Sequence, residues 1–213
     1  MDFDYRKHLN AVERSVSSPE REGKPAHAVT LSRSYPTTVE DLWDAVTNPD
    51  RIPRWFLPVS GDLEPDGRYR LEGNAGGRIT ECEPLSHFAL TWEFGDDVSW
   101  VKINVSQDED SRARLSLTHT MRHSEDRDVY GAGATGIGWE LGLVGLNLYL
   151  TSPDEPTPDE TEFATSLEGR AFIKGSGDGW AQAAVAAGTD SATARAEANR
   201  ATEFYTGEST EPT

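Results

Sequence analysis

The chain has 213 residues, room for one generous domain with an appendage rather than two large lobes. Lys and Arg number 20 against 37 Asp and Glu, so a net charge of −17 opposes nucleic acid or an anionic membrane surface, and no local basic cluster offsets it. Hydrophobic residues make up only 36%, yet six Trp, seven Phe and six Tyr suffice for one core, which excludes wholesale disorder.

Residues 1–25 form an N-terminal extension: a weak helical spacing at Phe3, Leu9 and Val12, then the turn signal Glu22-Gly23-Lys24-Pro25 and a strand turning back. Ala26 to Tyr35 alternates, with Val29, Leu31 and Arg33 on one face, and reads as a strand ended by Pro36. Thr37-Thr38-Val39-Glu40 has the spacing of a capping box, and Val39, Leu42, Trp43 and Val46 follow on one helical face up to Asn48-Pro49. A second short helix, punctuated by Pro49 and Pro53, brings Trp55 and Phe56 toward the core.

From Val59 to Met121 the period becomes two. Tyr69 and Leu71, then Phe88, Leu90, Trp92 and Phe94, then Val101, Ile103 and Val105, then Leu115, Leu117, His119 and Met121 alternate with polar residues, as half-buried antiparallel strands do. Turn sequences such as Pro65-Asp66-Gly67 and Gly95-Asp96-Asp97 keep the connections short and favour a meander. Gly131 to Thr151 returns to a helical period and places Gly138, Gly142 and Gly145 in one narrow stripe, with Trp139, Leu143, Leu146 and Leu150 on one flank and Ile137, Leu141, Val144 and Leu148 on the other. Each glycine inside a helix costs about 1 kcal/mol relative to alanine. The stripe therefore requires a compensating reason, either close backbone packing or a hollow between helix and sheet. Glu140 falls opposite the stripe and is expected to be solvated.

Residues 152–213 open with an acidic, proline-punctuated linker, Ser152 to Glu160. Three short helices follow, at about Thr161–Lys174, Asp178–Ala187 and Ser191–Tyr205, ended by Gly175, Gly188 and Gly207, with Asp190 as an N-cap. Their apolar residues are too few for a separate core and are expected to pack on the long helix. No internal repeat is present.

Strand, two short helices, a meander and a long helix is the helix-grip order of the START-like superfamily. The wording from Ser34 to Thr47 resembles the opening pattern of the family of activator of heat-shock-protein-90 ATPase homologues, the SRPBCC proteins, some of them polyketide cyclase-like. Arg54-Trp55-Phe56, Gly67 to Leu71, Glu81 to Trp92 with Pro84, Leu115 to His119 and Gly138-Trp139 are similar to later signposts of that family. The resemblance covers about residues 26–151 and departs from shorter members in both extensions. It implies an α+β helix-grip domain over 26–151, a curved antiparallel sheet wrapped around the long helix, with extra C-terminal helices. It also implies a cavity suited to hydrophobic or amphipathic small molecules. It does not imply one activity, because relatives include carriers, cyclases and a co-chaperone domain.

The candidate ligand-binding residues are Trp43, Trp55, Leu71, Leu90, Trp92, Ile103, Leu117, His119, Gly138, Trp139, Gly142 and Gly145. His119 is the candidate polar contact, or a candidate catalytic acid or base, set against the plainer reading of a hydrogen-bonded core histidine. Trp100 alternates out of phase with Val101 and belongs on the opposite face. Glu81 and Glu83 share the parity of Ile79, so each is a buried acid, part of a solvated outer face, or linked to Arg70 or Arg78. The five histidines have no short metal spacing apart from His119-x3-His123 at a strand end, and no metal or cofactor is expected. Cys82 is the single cysteine, reads as structural, and together with the absence of a leader or apolar span points to the cytoplasm. Binding of a small hydrophobic molecule is the first reading. A cyclase- or hydrolase-like enzyme using His119 and a co-chaperone-like protein-interaction domain are the alternatives.

Overall fold

The computed structural model describes residues 3–123, 128–155 and 159–208. In chain order these form α1 (Tyr5–Asn10), β1 (Val12–Ser17), β2 (Glu20–Arg21), β3 (Lys24–Tyr35), α2 (Val39–Thr47), a 3-10 turn (Ile52–Arg54), β4 (Val59–Gly61), β5 (Arg68–Leu71), β6 (Gly76–Glu83), β7 (His87–Phe94), β8 (Asp97–Gln107), β9 (Ala113–Arg122), α3 (Gly133–Thr151), α4 (Glu160–Thr165), α5 (Leu167–Ala186) and α6 (Ser191–Thr206). Strand order in the sheet is β1-β3-β9-β8-β7-β6-β5-β4, with β2 paired to β3. No helix among the described residues is long and apolar enough to cross a membrane.

The chain divides into two compact units, Met1–Leu31 with Arg122–Leu141 and Pro158–Thr213, and Ser32–Met121 with Gly142–Thr157. The second holds the meander. Every neighbouring pair from β4 to β9 is antiparallel, as the period-two pattern and short turns require. The cap falls one residue later than the Thr37–Glu40 spacing predicts: Thr38 accepts a hydrogen bond from the amide of Asp41 and opens α2, which closes at Asn48. Trp55, just after the 3-10 turn, donates its indole N–H to the carbonyl of Ala45 at 2.9 Å. Arg51 binds the Tyr149 hydroxyl and the carboxylates of Asp41 and Asp44.

The first unit holds the N- and C-terminal helices, and here three expectations are corrected. The helix expected at about Thr161–Lys174 breaks at Ser166, and from Leu167 it runs on past Gly175 and Asp178 as one 20-residue helix, α5. Gly175 and Gly177 lie inside it because Leu9 and Thr202 press against their bare backbones, and burial of those neighbours outweighs the weak helix propensity. Glu140 is fully buried rather than solvated. Arg14, on β1, reaches it through a two-pronged ion pair, Nε to Oε1 at 2.6 Å and Nη2 to Oε2 at 2.7 Å, and also donates to the carbonyls of Val12 and Leu9. The third correction concerns Gly138, whose missing side chain makes room for the Tyr205 hydroxyl, 2.5 Å from where a Cβ would stand. Tyr205 donates that hydroxyl to the carbonyl of Ala134. Asp190 and Gly207 cap α6 as expected, Gly207 in the left-handed conformation. Of the proline-punctuated linker, Pro156–Pro158 lie outside the described residues.

Candidate functional site

The inward face of the second unit is set by strand register. Leu90 pairs with Val101 and Val101 with His119; Phe88 pairs with Ile103 and Ile103 with Leu117; Trp92 pairs with Ser99. Directly paired residues share a face. Leu90, Trp92, Ile103, Leu117 and His119 therefore stand together, as the alternation predicts, in rows that cross three strands. Ile79 continues one row onto β6. Trp43 meets this face edge-on at Phe88, with ring centroids 5.9 Å apart. Leu71 is buried with Tyr69 and Ile79 in a cluster that Phe56, Leu90 and Trp92 also join.

Exposure separates these residues. Val101, Leu117, His119 and Met121 are buried, whereas Leu90, Trp92 and Ile103 remain half-buried on the same face. The polar atoms are few and ordered. His119 Nε2 lies 2.8 Å from Ser99 Oγ, and Ser99 donates to the carbonyl of Trp92 at 3.1 Å. A hydroxyl has one proton, so Ser99 accepts from His119, which fixes the N–H on Nε2. The indole of Trp92 sits 5.9 Å from the His119 ring. This is a hydrogen-bonded core histidine at 6% exposure, and its Nε2 serves to hold β8 to β9.

At Gly142 and Gly145 the neighbours come close, which fits the close-packing reading of the stripe. A Cβ at Gly145 would lie 2.6 Å from the carbonyl oxygen of Trp55, and one at Gly142 would touch the Phe56 ring at 3.6 Å. Trp55 stacks on Phe56 with its indole nitrogen already committed to Ala45. Gly138 and Trp139 belong to the other unit.

Parity also misleads at β6. A bulge between Ile79 and Glu81 shifts the register, so Cys82 rather than Glu81 packs with Ile79. Glu81 and Glu83 are exposed, and Glu81 pairs with Lys102 at 3.1 Å and lies 3.5 Å from His87. Burial pushes the Cys82 thiol up, with the nearby carboxylates of Glu64 and Glu83 adding to the shift, so it is a poor nucleophile. Trp100 pairs with Thr91 and Thr120 on the opposite face, as its phase predicts. Sequence reasoning missed Ser99, the partner that orders His119. Its in-phase position, two residues before Val101, was the available signal.

A cleft of about 540 Å³ opens elsewhere in this unit, lined by Arg68, Arg70, Asn74 and Glu93 among others. None of the candidate residues lines it.

No curated protein matches the chain. Among solved structures, the crystal structure of CalU16 from Micromonospora echinospora shares 29% identity and a TM-score of 0.65, covering 81% of this chain and 98% of that one. The solution structure of CalU16 gives 27% identity and a TM-score of 0.70 over 83% and 97% of the two chains. DynU16, a protein of the dynemicin biosynthetic locus, shares the fold at 19% identity and a TM-score of 0.55, over 62% of this chain and 49% of that one. These likenesses carry the helix-grip, START-like architecture, α+β with a large curved antiparallel sheet and C-terminal helices. The family described as Activator of Hsp90 ATPase homolog 1-like protein matches residues 36–151, more than half of the sequence, and the chain belongs to that family.

Proposed function

We propose that the second unit binds a small apolar or amphipathic molecule against the inward face of β7, β8 and β9. The observation that supports this reading is the incomplete burial of Leu90, Trp92 and Ile103 beside the buried Phe88, Val101, Leu117 and His119 of the same face. Covering such side chains with an apolar ligand gains about 25 cal/mol for each Å² removed from water. Trp92 contributes the largest surface and a single N–H donor. Leu71, Leu117 and Trp43 form the surround, and Gly142 and Gly145 let Phe56 and Trp55 approach the helix backbone. His119 is a positioning residue in this reading, since its Nε2 is spent on Ser99. The single cysteine suits a reducing, cytoplasmic setting.

The test is native mass spectrometry of the purified chain, followed by extraction and by titration with the apolar probe 1-anilinonaphthalene-8-sulfonate. A co-purifying small molecule, or saturable probe binding that Trp92→Ala weakens about tenfold, is expected. Probe binding that is unchanged in both Trp92→Ala and Ile103→Ser would overturn the assignment of this face.

A further inference from the structure

We infer that the first unit carries a site for a borderline divalent transition-metal ion, of which zinc is the type, built from His27, His123 and Asp128. His27 is on β3, far in sequence from His123 and Asp128, which lie close together between β9 and α3, and the spacing of the histidines does not reveal the group. One donor atom from each lies within 4.8 Å of the other two.

The geometry has the form of a ligand set. Both imidazoles turn Nδ1 toward the same carboxylate, His123 at 3.3 Å from Oδ2 and His27 at 3.9 Å from Oδ1. The second separation is too long for a hydrogen bond. Donors around a tetrahedral ion with bonds of about 2.0–2.1 Å stand about 3.4 Å apart; one pair already has that spacing, and the others, none beyond 4.8 Å, must close toward it. The His27 and His123 rings meet edge to face, centroids 5.3 Å apart at 63°, which leaves their nitrogens convergent rather than stacked away. Closure is permitted because the His123 side chain is 54% exposed, while His27 at 17% is held more firmly on its strand.

Two imidazoles and one carboxylate select by chemistry. Neutral imidazole suits zinc, nickel, copper and iron, while magnesium and calcium prefer sets made of oxygen alone. Three protein ligands leave open positions for water or a small anion. The competing account is a plain ion-pair cluster, in which a protonated imidazole balances Asp128 and no metal binds.

Isothermal titration of the full chain with zinc, and with cobalt followed by visible absorption, separates the two. One equivalent is expected to bind, cobalt is expected to show d–d bands of a low-coordinate nitrogen–oxygen site, and His123→Ala or Asp128→Asn is expected to weaken binding about tenfold or more. His87→Ala, which removes an imidazole beside Glu81 on β7, is expected to change nothing. His123 is exposed, so its replacement leaves the fold intact and decides the matter even if Asp128→Asn unfolds. Absence of binding, or binding that His123→Ala leaves undiminished, overturns the site and leaves the ion-pair account.

Discussion

Replacing Gly145 by alanine and, separately, Gly142 by alanine distinguishes a packed glycine stripe from a hollow one. At 145 the new Cβ would stand 2.6 Å from the Trp55 carbonyl oxygen, a backbone atom that cannot swing aside. At 142 the nearest atoms are ring carbons of Phe56 at 3.6 Å, an ordinary contact. Both positions are inside α3, where alanine is favoured over glycine by about 1 kcal/mol. Gly142→Ala keeps that gain and is expected to raise stability by about 0.5–1 kcal/mol. Gly145→Ala incurs an overpacking cost of about 3 kcal/mol, and after the helix gain a net loss of about 2 kcal/mol remains. Urea unfolding followed by circular dichroism reads the difference as midpoints displaced to opposite sides of wild type at an unchanged m-value. A Gly145→Ala midpoint at or above wild type would refute the reasoning, because it would mean that nothing rigid presses on the helix there.

The buried ion pair gives a second test: Glu140→Ala leaves Arg14 without its carboxylate and is expected to cost about 3–5 kcal/mol, while Arg14→Met combined with Glu140→Leu recovers most of it. Additive losses in that cycle, measured by chemical denaturation, would contradict a coupled pair. Ser99→Ala removes the acceptor of His119 Nε2 and is expected to lower stability by about 1–3 kcal/mol, whereas equal stability would detach His119 from β8. Hydrogen bonds from Arg51 and then Asn48 hold the Asp44 carboxyl below its ordinary range. A depressed folded value means stability that is present above about pH 4 and lost as pH falls through the folded value. Asp44→Asn is therefore expected to flatten the acid side of the melting-temperature profile, and an unchanged acid limb would count against the linkage.

The sequence made the meander legible because its inward positions are apolar and its turns are short. From Phe88 to Met121 the alternation predicts which residues share a face, and register confirms it strand by strand. It failed where one residue breaks the count: the bulge after Ile79 turns Glu81 outward and Cys82 inward, and a parity argument has no means of detecting an extra residue. Glu140 failed for a different reason. Its helical angle was correct, but the angle says only which way a side chain points. What lies there is Arg14, from an N-terminal segment that carries no motif. The break assigned to Gly175 failed because propensity was read without Leu9, the side chain that makes a bare backbone useful at that turn.

The same reasoning bears on the proposed ligand face. A helix with glycines at 136, 138, 142 and 145 offers sockets, and the chain supplies Trp180, Tyr205, Phe56 and the Trp55 carbonyl to occupy or face them. Aromatic residues that composition alone would assign to a binding pocket are thus largely spent on packing: Trp180 is fully buried, and Trp55 is tied to Ala45. Under the proposed reading, the surface that a ligand would cover is the apolar one on the strands, where Trp92 stays half-buried beside Leu90 and Ile103. Selectivity should therefore follow the size of side chains on β7 and β8. Enlarging Ile103 to Phe is expected to reduce probe binding, whereas Gly142→Ala is expected to leave it unchanged.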